Sequence, residues 1–279
     1  MVETKVGQAQ PFLKWAGGKR QLLSKFEPLF PSSFDGYYEP FLGGGAVFFH
    51  LLNRIDRDSS IILGDVNQDL MITYQMIRDY PDQVIIGLQE LQAGHGVEQY
   101  NQWRTHQPEN VIGRALRFLY LNRACFNGLW RENKKGEMNT PIGDTPADRL
   151  FDFDNIRLVS KALQGVVLKP GPYYSGGEQI PLTSPRGWFI YLDPPYHQTF
   201  SSYSKNGFDE DAHRQLAKCA QYWSDHGAKV MLSNSDTEFV RSLFDGSDWN
   251  ITVVEARRAI SGKKSGRGKV GELVIRNYE

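Results

Sequence analysis

The chain has 279 residues, 40% of them hydrophobic, and its 32 basic residues are balanced by 32 acidic ones, so its formal net charge is zero. This length allows one large domain with its own core plus an inserted module. A net charge of zero excludes a uniformly basic coat for nucleic acid, so any nucleic-acid surface has to be a local patch.

The spacing of cysteine, histidine and apolar residues argues against several further classes of protein. Cys125 and Cys219 are too few and too far apart for a disulfide framework, which suits a reducing compartment. The six histidines show no His-Glu-x-x-His spacing and Cys-x-x-Cys is absent, so we predict no metal. Neither a charged-then-apolar leader nor an apolar run of about 18 residues occurs. We therefore expect a cytoplasmic protein without a membrane span.

The first predicted element follows a polar, irregular stretch over residues 1–10. Residues 11–23 contain the pair Gly17-Gly18 and then apolar residues at helical spacing, which predicts a tight turn followed by a helix. Trp15 and Lys19 are then expected at the mouth of that helix.

Two predicted strands each end in a turn suited to a nucleoside. Residues 37–49 are typical of a strand, the glycine turn 43–45 and a helix start, which lets the backbone approach a cofactor closely. The turn lacks G-x-G-x-x-G spacing and a following Lys-Ser or Lys-Thr, which disfavours a phosphate site. Residues 61–65 form a second strand that ends in Asp65, about 20 residues on, where such folds place a carboxylate on ribose hydroxyls.

A long segment then separates these strands from the rest of the predicted core. Asn67 is the predicted N-cap of a helix over residues 68–80. After Pro81 the pattern is mostly helical and polar to about Leu121, too long for a simple crossover between strands, so we predict an inserted lobe. Residues 133–141 have the glycine and asparagine content of a hairpin with basic residues at its tip.

Two basic stretches are candidate nucleic-acid surfaces, and a solvated face is the competing interpretation of each. The first patch comprises Arg114, Arg117, Arg123, Arg131, Lys134 and Lys135, opposed only by Glu132. The second comprises Arg257, Arg258, Lys263, Lys264, Arg267 and Lys269, with no acid among them.

The core is predicted to resume after a polar loop over residues 142–156, with a helix start near Phe153. Apolar runs at 165–168 and 228–234 predict further strands. Residues 253–254 and 272–276 alternate in polarity and are predicted to pair as a closing antiparallel hairpin.

The strongest chemical signal is Asp193-Pro194-Pro195-Tyr196, which follows a predicted buried strand over residues 187–192. The prolines lack a backbone N–H and stiffen the turn, and an ionised aspartate only accepts hydrogen bonds. Such acceptors beside a flat aromatic ring suit a planar amine that donates two hydrogens, such as the exocyclic amine of a nucleobase. An ordinary turn at the end of a strand is the alternative.

With these motifs in this order, the chain resembles the Dam-type DNA adenine-N6 methyltransferases, the alpha-class D12 family. The resemblance implies an α/β fold with a Rossmann-like S-adenosylmethionine-dependent methyltransferase sheet. It also implies an inserted, mainly helical target-recognition domain carrying a β-hairpin, over residues 79–156, between two parts of the catalytic domain, residues 1–78 and 157–279. The motifs that carry it span nearly the whole chain: residues 11–19, 43–45, 64–67, 122–131 and 193–196.

The resemblance further implies transfer of a methyl group from S-adenosyl-L-methionine to the N6 amine of adenine in double-stranded DNA, by base flipping and without a metal. The catalytic residues would be Asp193, Pro194, Pro195 and Tyr196. The cofactor-binding residues would be Trp15, Lys19, Glu39, Phe41, Gly43, Asp65 and Asp193. The DNA-binding residues would be Lys14, Arg123, Asn127, Leu129, Arg131, Asn133, Lys134, Lys135 and Pro141.

The hairpin also indicates a target sequence. The family's readers of GATC are matched by Arg131, Leu129 and Pro141, whereas several GATC enzymes carry Arg-Tyr where this chain has Asp144-Thr145. An acid repels phosphate and cannot bind the acceptors of guanine. We therefore expect methylation in GATC, or in a site containing ATC, with a relaxed outer position.

Other functions stay open on the sequence alone. A ribosomal-RNA adenine or a cytosine amine could occupy the same pocket, and a protein-glutamine methyltransferase uses a similar turn. A non-enzymatic DNA-binding relic belongs to a different class. We expect a monomer associated with the nucleoid, and a cognate restriction endonuclease is a candidate partner.

Overall fold

The computed structural model describes residues 8–15, 17–56, 59–131, 133, 137–173, 185–198, 208–257 and 269–279. Its helices are α1 (Leu23–Phe26), α2 (Ala46–Leu51), α3 (Gln68–Asp79), α4 (Pro81–Ala93), α5 (Val97–Thr105), α6 (Val111–Ala124), α7 (Phe153–Ala162), α8 (Glu210–Asp225) and α9 (Glu238–Ser242). Its strands are β1 (Gly36–Glu39), β2 (Ser60–Asp65), β3 (Val167–Pro170), β4 (Trp188–Leu192), β5 (Lys229–Ser235), β6 (Asn250–Arg257) and β7 (Lys269–Arg276).

The chain divides into two compact units, each assembled from three stretches of sequence. The first unit comprises Met1–Gly18, Gly43–Leu52 and Asn67–Pro170. The second unit comprises Lys19–Leu42, Asn53–Val66 and Gly171–Glu279.

The second unit contains a mixed sheet with the strand order β2-β1-β4-β5-β7-β6. Strands β2, β1, β4 and β5 are parallel, and β7 lies antiparallel between β5 and β6. The chain runs from β1 outward to β2 and later returns on the other side of β1 with β4. The boundary between β1 and β4 is therefore the switch point at which open α/β sheets bind ligands.

The centre of this sheet confirms the predicted buried strand. All five residues of β4 are buried, as expected for a parallel strand covered on both faces. On one face, Ile190 and Leu192 belong to a cluster that includes Trp223 of α8. On the other face, the Phe189 ring packs against Phe30 and Phe34 with centroids 6.2 and 5.5 Å apart.

The first unit is mainly helical. Asn67 caps α3 as predicted, since its side chain accepts a hydrogen bond from the Leu70 N–H at 3.0 Å. Asn110 caps α6 in the same way, accepting from the Gly113 N–H at 2.7 Å. The predicted helix start near Phe153 is confirmed by α7.

Two predicted elements differ from the structure. The strand expected at residues 165–168 is β3, displaced to Val167–Pro170, and half-buried to exposed rather than part of a core. The helix expected after Gly17-Gly18 is divided into a short 3-10 helix, Lys19–Gln21, the one-turn helix α1 and a second short 3-10 helix, Glu27–Leu29. Pro28 lies at the start of the third piece, where its ring prevents α1 from continuing as an α-helix.

The closing hairpin is confirmed. Val253 pairs with Leu273, and Val254 pairs with Glu272, in antiparallel register. Among the described helices, none is long and apolar enough to cross a membrane.

Candidate active site

Three acids lie at one edge of the sheet in the second unit. Glu39 ends β1, Asp65 ends β2, and Asp193 directly follows β4. Because these strands are parallel, their carboxyl ends meet at the same edge, on either side of the switch point. The sheet thus collects three of the predicted site residues.

Lys19 forms a buried ion pair with Asp193. Its Nζ lies 2.7 Å from Asp193 Oδ1, and the Lys19 residue is only 4% exposed. The same ammonium lies 4.7 Å from the centroid of the Tyr196 ring and 3.8 Å from Glu272 Oε1. The family resemblance implies that Lys19 binds S-adenosylmethionine, and the structure places its ammonium between two carboxylates of the chain itself.

One oxygen of the Asp193 carboxylate lacks a hydrogen bond of ordinary geometry, although the Lys19 ammonium lies beside it. Oδ1 is buried, and none of the described donors, Lys19 included, meets it in hydrogen-bonding geometry. Burial raises the pKa of Asp193, and the Lys19 charge opposes that rise without cancelling it. A substrate N–H directed at Oδ1 would satisfy an otherwise unsatisfied buried acceptor.

Tyr196 is fixed at its hydroxyl end. That hydroxyl donates a short hydrogen bond to Oε1 of Glu272, which lies on β7 and is 7% exposed. Burial raises the pKa of both groups, and the Lys19 charge lowers the pKa of Glu272. Glu272 was not among the predicted site residues, because its place at this edge depends on the pairing of β7 with β5.

Buried tyrosine hydroxyl groups make hydrogen bonds within the sheet, near the same edge. The Tyr37 hydroxyl donates to Glu39 Oε2 at 2.7 Å, two residues along β1 and on the same face. Tyr191 and Ser233 share a hydrogen bond of 2.7 Å between β4 and β5. Burial raises the pKa of both tyrosines far above its ordinary value, so they remain neutral donors.

Two hydrogen-bond contacts hold the turn after Tyr196. The His197 N–H donates to Asn234 Oδ1 at 3.0 Å, and His197 Nδ1 lies 3.0 Å from Thr237 Oγ1. These contacts fix the backbone on which Pro194, Pro195 and Tyr196 stand. The chain Asp193–Tyr196 is thus anchored at both ends.

The remaining predicted cofactor residues of this unit are part of its framework. The Asp65 carbonyl accepts from the Gly171 N–H at 2.9 Å, and the Asp65 residue is half-buried. The Phe41 ring packs against Tyr173 and Phe208, with centroids 5.3 and 6.0 Å away.

In the first unit, Trp15 covers the glycine turn. Gly43 has φ +48°, and a Cβ placed there would lie 2.5 Å from Trp15 Nε1. The Gly43 carbonyl accepts a hydrogen bond from the buried Tyr74 hydroxyl at 3.2 Å. The structure therefore joins two predicted cofactor residues, Trp15 and Gly43, in van der Waals contact.

Lys14 is fixed by the end of α6. Its backbone exchanges two hydrogen bonds with the Asn122 side chain, of 2.9 and 2.8 Å. Its Nζ donates to the Arg123 carbonyl at 3.0 Å and to Thr145 Oγ1 at 3.1 Å. Burial and the nearby Arg123 charge lower the pKa of Lys14.

Three members of the first basic patch make contacts within the protein. Arg117 is 5% exposed and donates to the carbonyls of Trp103 and Arg104, each at 3.0 Å. Arg114 pairs with Asp69 at 2.6 Å. Arg123 Nε donates to a backbone carbonyl, that of Leu150, at 2.6 Å. These guanidinium groups support the fold, which a count of charges along the sequence could not reveal.

The described arms of the predicted hairpin are joined by two backbone hydrogen bonds. The Asn139 N–H donates to the Arg131 carbonyl, and the Asn133 N–H donates to the Glu137 carbonyl, both at 2.9 Å. The Arg131 side chain is exposed. Lys134 and Lys135, the predicted tip, lie outside the described residues.

The other predicted DNA contacts flank these arms. Leu129 accepts a hydrogen bond at its carbonyl from Thr140 Oγ1 at 2.5 Å, and the Pro141 carbonyl accepts from the Phe126 N–H at 2.9 Å. Asn127 is exposed and has φ +53°, an uncommon conformation for a residue other than glycine.

A metal centre has no support in the part of the chain that the structure describes, where no three histidine, cysteine, aspartate or glutamate residues are grouped to hold an ion.

Comparison with known proteins is consistent across nearly the whole chain. Residues 15–260 match the family described as D12 class N6 adenine-specific DNA methyltransferase. The type II methyltransferase M.MjaIII of Methanocaldococcus jannaschii is 37% identical over 97% of this chain and 100% of its own length. M1.LlaDCHI of Lactococcus lactis subsp. cremoris, also named a type II methyltransferase, is 34% identical over 96% of this chain and 95% of its own length.

A third relative carries a different name. The DNA adenine methylase of Vibrio cholerae is 34% identical over 94% of both chains. Such identity over such coverage, with the family match, decides against the RNA, cytosine, protein-glutamine and non-enzymatic alternatives. The chain belongs to the D12 class of N6 adenine-specific DNA methyltransferases.

Proposed function

We propose that this enzyme transfers the methyl group of S-adenosyl-L-methionine to the N6 amine of an adenine in GATC, or in a site containing ATC, after the base has been flipped out of the duplex. The observation that carries the catalytic part is the buried Asp193 Oδ1, which lacks a hydrogen bond of ordinary geometry from the described donors and faces the same Lys19 ammonium as the Tyr196 ring. The target sequence rests on Arg131, Leu129 and Pro141 by their resemblance to the family's readers.

Adenine N6 is a poor nucleophile, because its lone pair is delocalised into the ring. In our proposal, the Asp193 carboxylate and the Pro194 carbonyl accept the two N–H groups and favour a pyramidal amine. The Tyr196 ring stacks on the base. Positioning and electrostatic stabilisation then supply most of the rate enhancement. Flipping costs a few kcal/mol, which contacts to DNA have to offset.

S-adenosyl-L-methionine supplies an electrophilic sulfonium methyl group when bound. The donor set of the second unit fits such a molecule: the carboxylates of Asp65 and Glu39 can accept from hydroxyl and amine groups, and Phe41 offers an aromatic face. Lys19 is assigned to the same site through its position beside Asp193. We assign the same binding role to Trp15 and Gly43 of the first unit, because the indole lies on a turn that tolerates no Cβ.

We assign target recognition to residues 79–156. Arg131 suits guanine, since its fork can bind O6 and N7 together, worth about 1–3 kcal/mol of discrimination. Lys14 and Asn127 lie on the same unit and are proposed as DNA contacts, as are Asn133, Lys134 and Lys135. Arg123 is proposed with them, and two of its guanidinium nitrogens also donate to the backbone carbonyls of Leu150 and Arg149.

The names of the relatives support a proposal about the biological setting. Two relatives are named type II methyltransferases, and a third is named a DNA adenine methylase. We propose a monomeric enzyme with a cognate restriction endonuclease as its partner.

The proposal is tested by modified-base sequencing of DNA from a host that lacks its own adenine methylation and expresses this chain. We expect N6-methyladenine within GATC or within sites containing ATC, and none with the Asp193→Asn variant. A methylated motif that lacks ATC would overturn the target assignment. Full methylation by Asp193→Asn would overturn the catalytic assignment.

A further inference from the structure

Glu272 is a buried acid that the proposed reaction does not use. It lies on β7 opposite Ser235 of β5, so the antiparallel pairing brings it to the sheet edge at which Asp193 stands. The Glu272 residue is 7% exposed. A buried carboxylate is costly unless it has partners, so its contacts indicate why it is tolerated there.

Its contacts connect it to both catalytic side chains. Oε1 accepts from the Tyr196 hydroxyl and lies 3.8 Å from Lys19 Nζ. That Nζ lies 2.7 Å from Asp193 Oδ1. A single ammonium thus faces two carboxylates, the nearer of which is the proposed acceptor of the substrate amine.

In this arrangement the Lys19 ammonium and the substrate amine compete for the Asp193 carboxylate. The ammonium lies beside Oδ1 and over the Tyr196 ring, where a positively charged donor mimics the amine of a bound base. A base that engages Asp193 displaces the ammonium from it. A buried ammonium left without a counter-ion is strongly disfavoured, so the displacement needs a second anion within reach.

We propose that Glu272 is a positioning residue that receives the Lys19 ammonium when the substrate amine occupies Asp193, and that it holds the Tyr196 ring in place during the exchange. The required shift is about 1 Å, the difference between the present 3.8 Å and an ordinary charge-assisted contact, at the end of a flexible side chain. The hydrogen bond from the Tyr196 hydroxyl keeps the ring from following the ammonium. The inference rests on the proposed role of Asp193.

The test is the Glu272→Gln variant, which keeps an oxygen to accept from Tyr196 but removes the charge. Its single-turnover rate is measured across pH, with saturating S-adenosylmethionine and a duplex carrying the site found by modified-base sequencing. We expect the plateau rate to fall by about tenfold or more, with the dissociation constants of DNA and donor within about twofold. We also expect the acid limb of the pH–rate profile, the decline in rate at low pH, to move to lower pH. The reason is that the ammonium then stays on Asp193 and stabilises its ionised form.

A residue with a merely structural role would lower the rate without moving the acid limb. The exposed Glu238 provides the matched control, since Glu238→Gln removes a charge at the start of α9 and should leave rate and limb unchanged. Glu272→Asp keeps the charge and should keep the limb of the wild type. It serves as the test if Glu272→Gln does not fold, and a shifted limb in Glu272→Asp would overturn the proposal.

A wild-type rate and acid limb in Glu272→Gln would overturn the proposal while leaving the catalytic assignment intact. Failure of that assignment has a different signature, because Asp193→Asn would then itself retain activity. Tyr196→Phe tests the second part of the proposal, because it removes the hydroxyl that Glu272 holds without changing a charge. It should lower the plateau rate, and a wild-type plateau rate would overturn the role of Glu272 in holding the ring.

Discussion

Two properties of Asp193 bear on its proposed catalytic role. It is an acceptor with an unsatisfied buried oxygen, and it is paired with a cation whose charge opposes the rise in its pKa that burial causes. Because the raised pKa of Asp193 disfavours the charged form, activity should decline as pH falls through that pKa. The ion pair with Lys19 is therefore part of what makes the carboxylate usable near neutral pH.

The Asp193→Asn variant should lose at least about a hundredfold in single-turnover methylation, because the amide brings no charge and can turn a donor toward the substrate amine. DNA affinity, measured by fluorescence anisotropy, should stay within about twofold, since the carboxylate acts on the flipped base rather than on phosphates. Asp248→Asn, at an exposed position, is the control for the substitution itself. Retention of more than about a tenth of the wild-type rate would contradict this role.

The Asp65→Ala variant should bind S-adenosylmethionine more weakly by roughly 1–3 kcal/mol, the cost of leaving buried hydroxyl groups without an acceptor. Its backbone contact to Gly171 is made by the carbonyl and survives the substitution, so the fold should be retained. Isothermal titration calorimetry measures the change directly. An unchanged affinity would remove Asp65 from the donor site.

Two short elements carry the predicted specificity, the glycine turn and the hairpin. The turn has to take up a left-handed backbone conformation and also accept an indole at its surface. The hairpin has to hold Arg131 at a defined register, which its two cross-strand hydrogen bonds achieve in the described arms. Substitutions in each element should therefore affect one function and spare the other.

In the glycine turn, the Gly43→Ala variant should disturb Trp15 as well as the backbone. The added Cβ would lie 2.5 Å from the indole nitrogen, and φ +48° costs an alanine about 1–2 kcal/mol. The matched control is Gly165→Ala, because Gly165 has φ +78° and open space around its Cβ position. We expect both variants to lose stability in urea, and only Gly43→Ala to lose about tenfold or more in S-adenosylmethionine affinity. Equal donor affinity in the two variants would rule out the indole contact as a part of donor binding.

In the hairpin, the Arg131→Ala variant should lower discrimination between sites by about 1–3 kcal/mol and change overall DNA affinity less, because a bidentate contact to guanine distinguishes bases. Neutralising Lys134 and Lys135 should instead weaken binding to all duplexes alike and flatten its salt dependence. Competition binding between duplexes that differ at one base pair separates these effects. Unaltered site preference in Arg131→Ala would refute the assignment of this arginine.

At the scale of the whole molecule, the features that could be predicted from the sequence are those that depend on residues close together in the chain. The cap at Asn67 and the buried strand β4 both follow from local pattern. The position of Glu272 could not be predicted, because it depends on which strand β7 joins. The burial of Arg117 was missed for the same reason, since its partners lie on another helix.

His213 shows how burial can set the acid stability of the whole protein. It lies on α8, is 3% exposed, and its Nε2 lacks a hydrogen bond within the described part of the chain. Burial lowers the pKa of His213 to about 4, helped by the charge of His197 and opposed by Asp209 and Glu210. The ordinary pKa of histidine is near 6.5, so the native state holds this ring neutral while the unfolded chain protonates it.

The sign of the resulting pH dependence follows from that difference. The contribution of His213 to stability is complete above about pH 6.5 and is lost as pH falls toward 4, because only the unfolded state takes up the proton. At about pH 5 the loss amounts to roughly 2 kcal/mol. We expect His213→Phe, which places a ring without a titrating group among Phe208 and Phe239, to remove this part of the acid destabilisation. Urea unfolding at about pH 7.5 and pH 5 measures it: the difference in unfolding free energy between the two pH values should be smaller in the variant by about 2 kcal/mol, whatever the variant's absolute stability. An equal difference in both proteins would mean that another group governs the acid response.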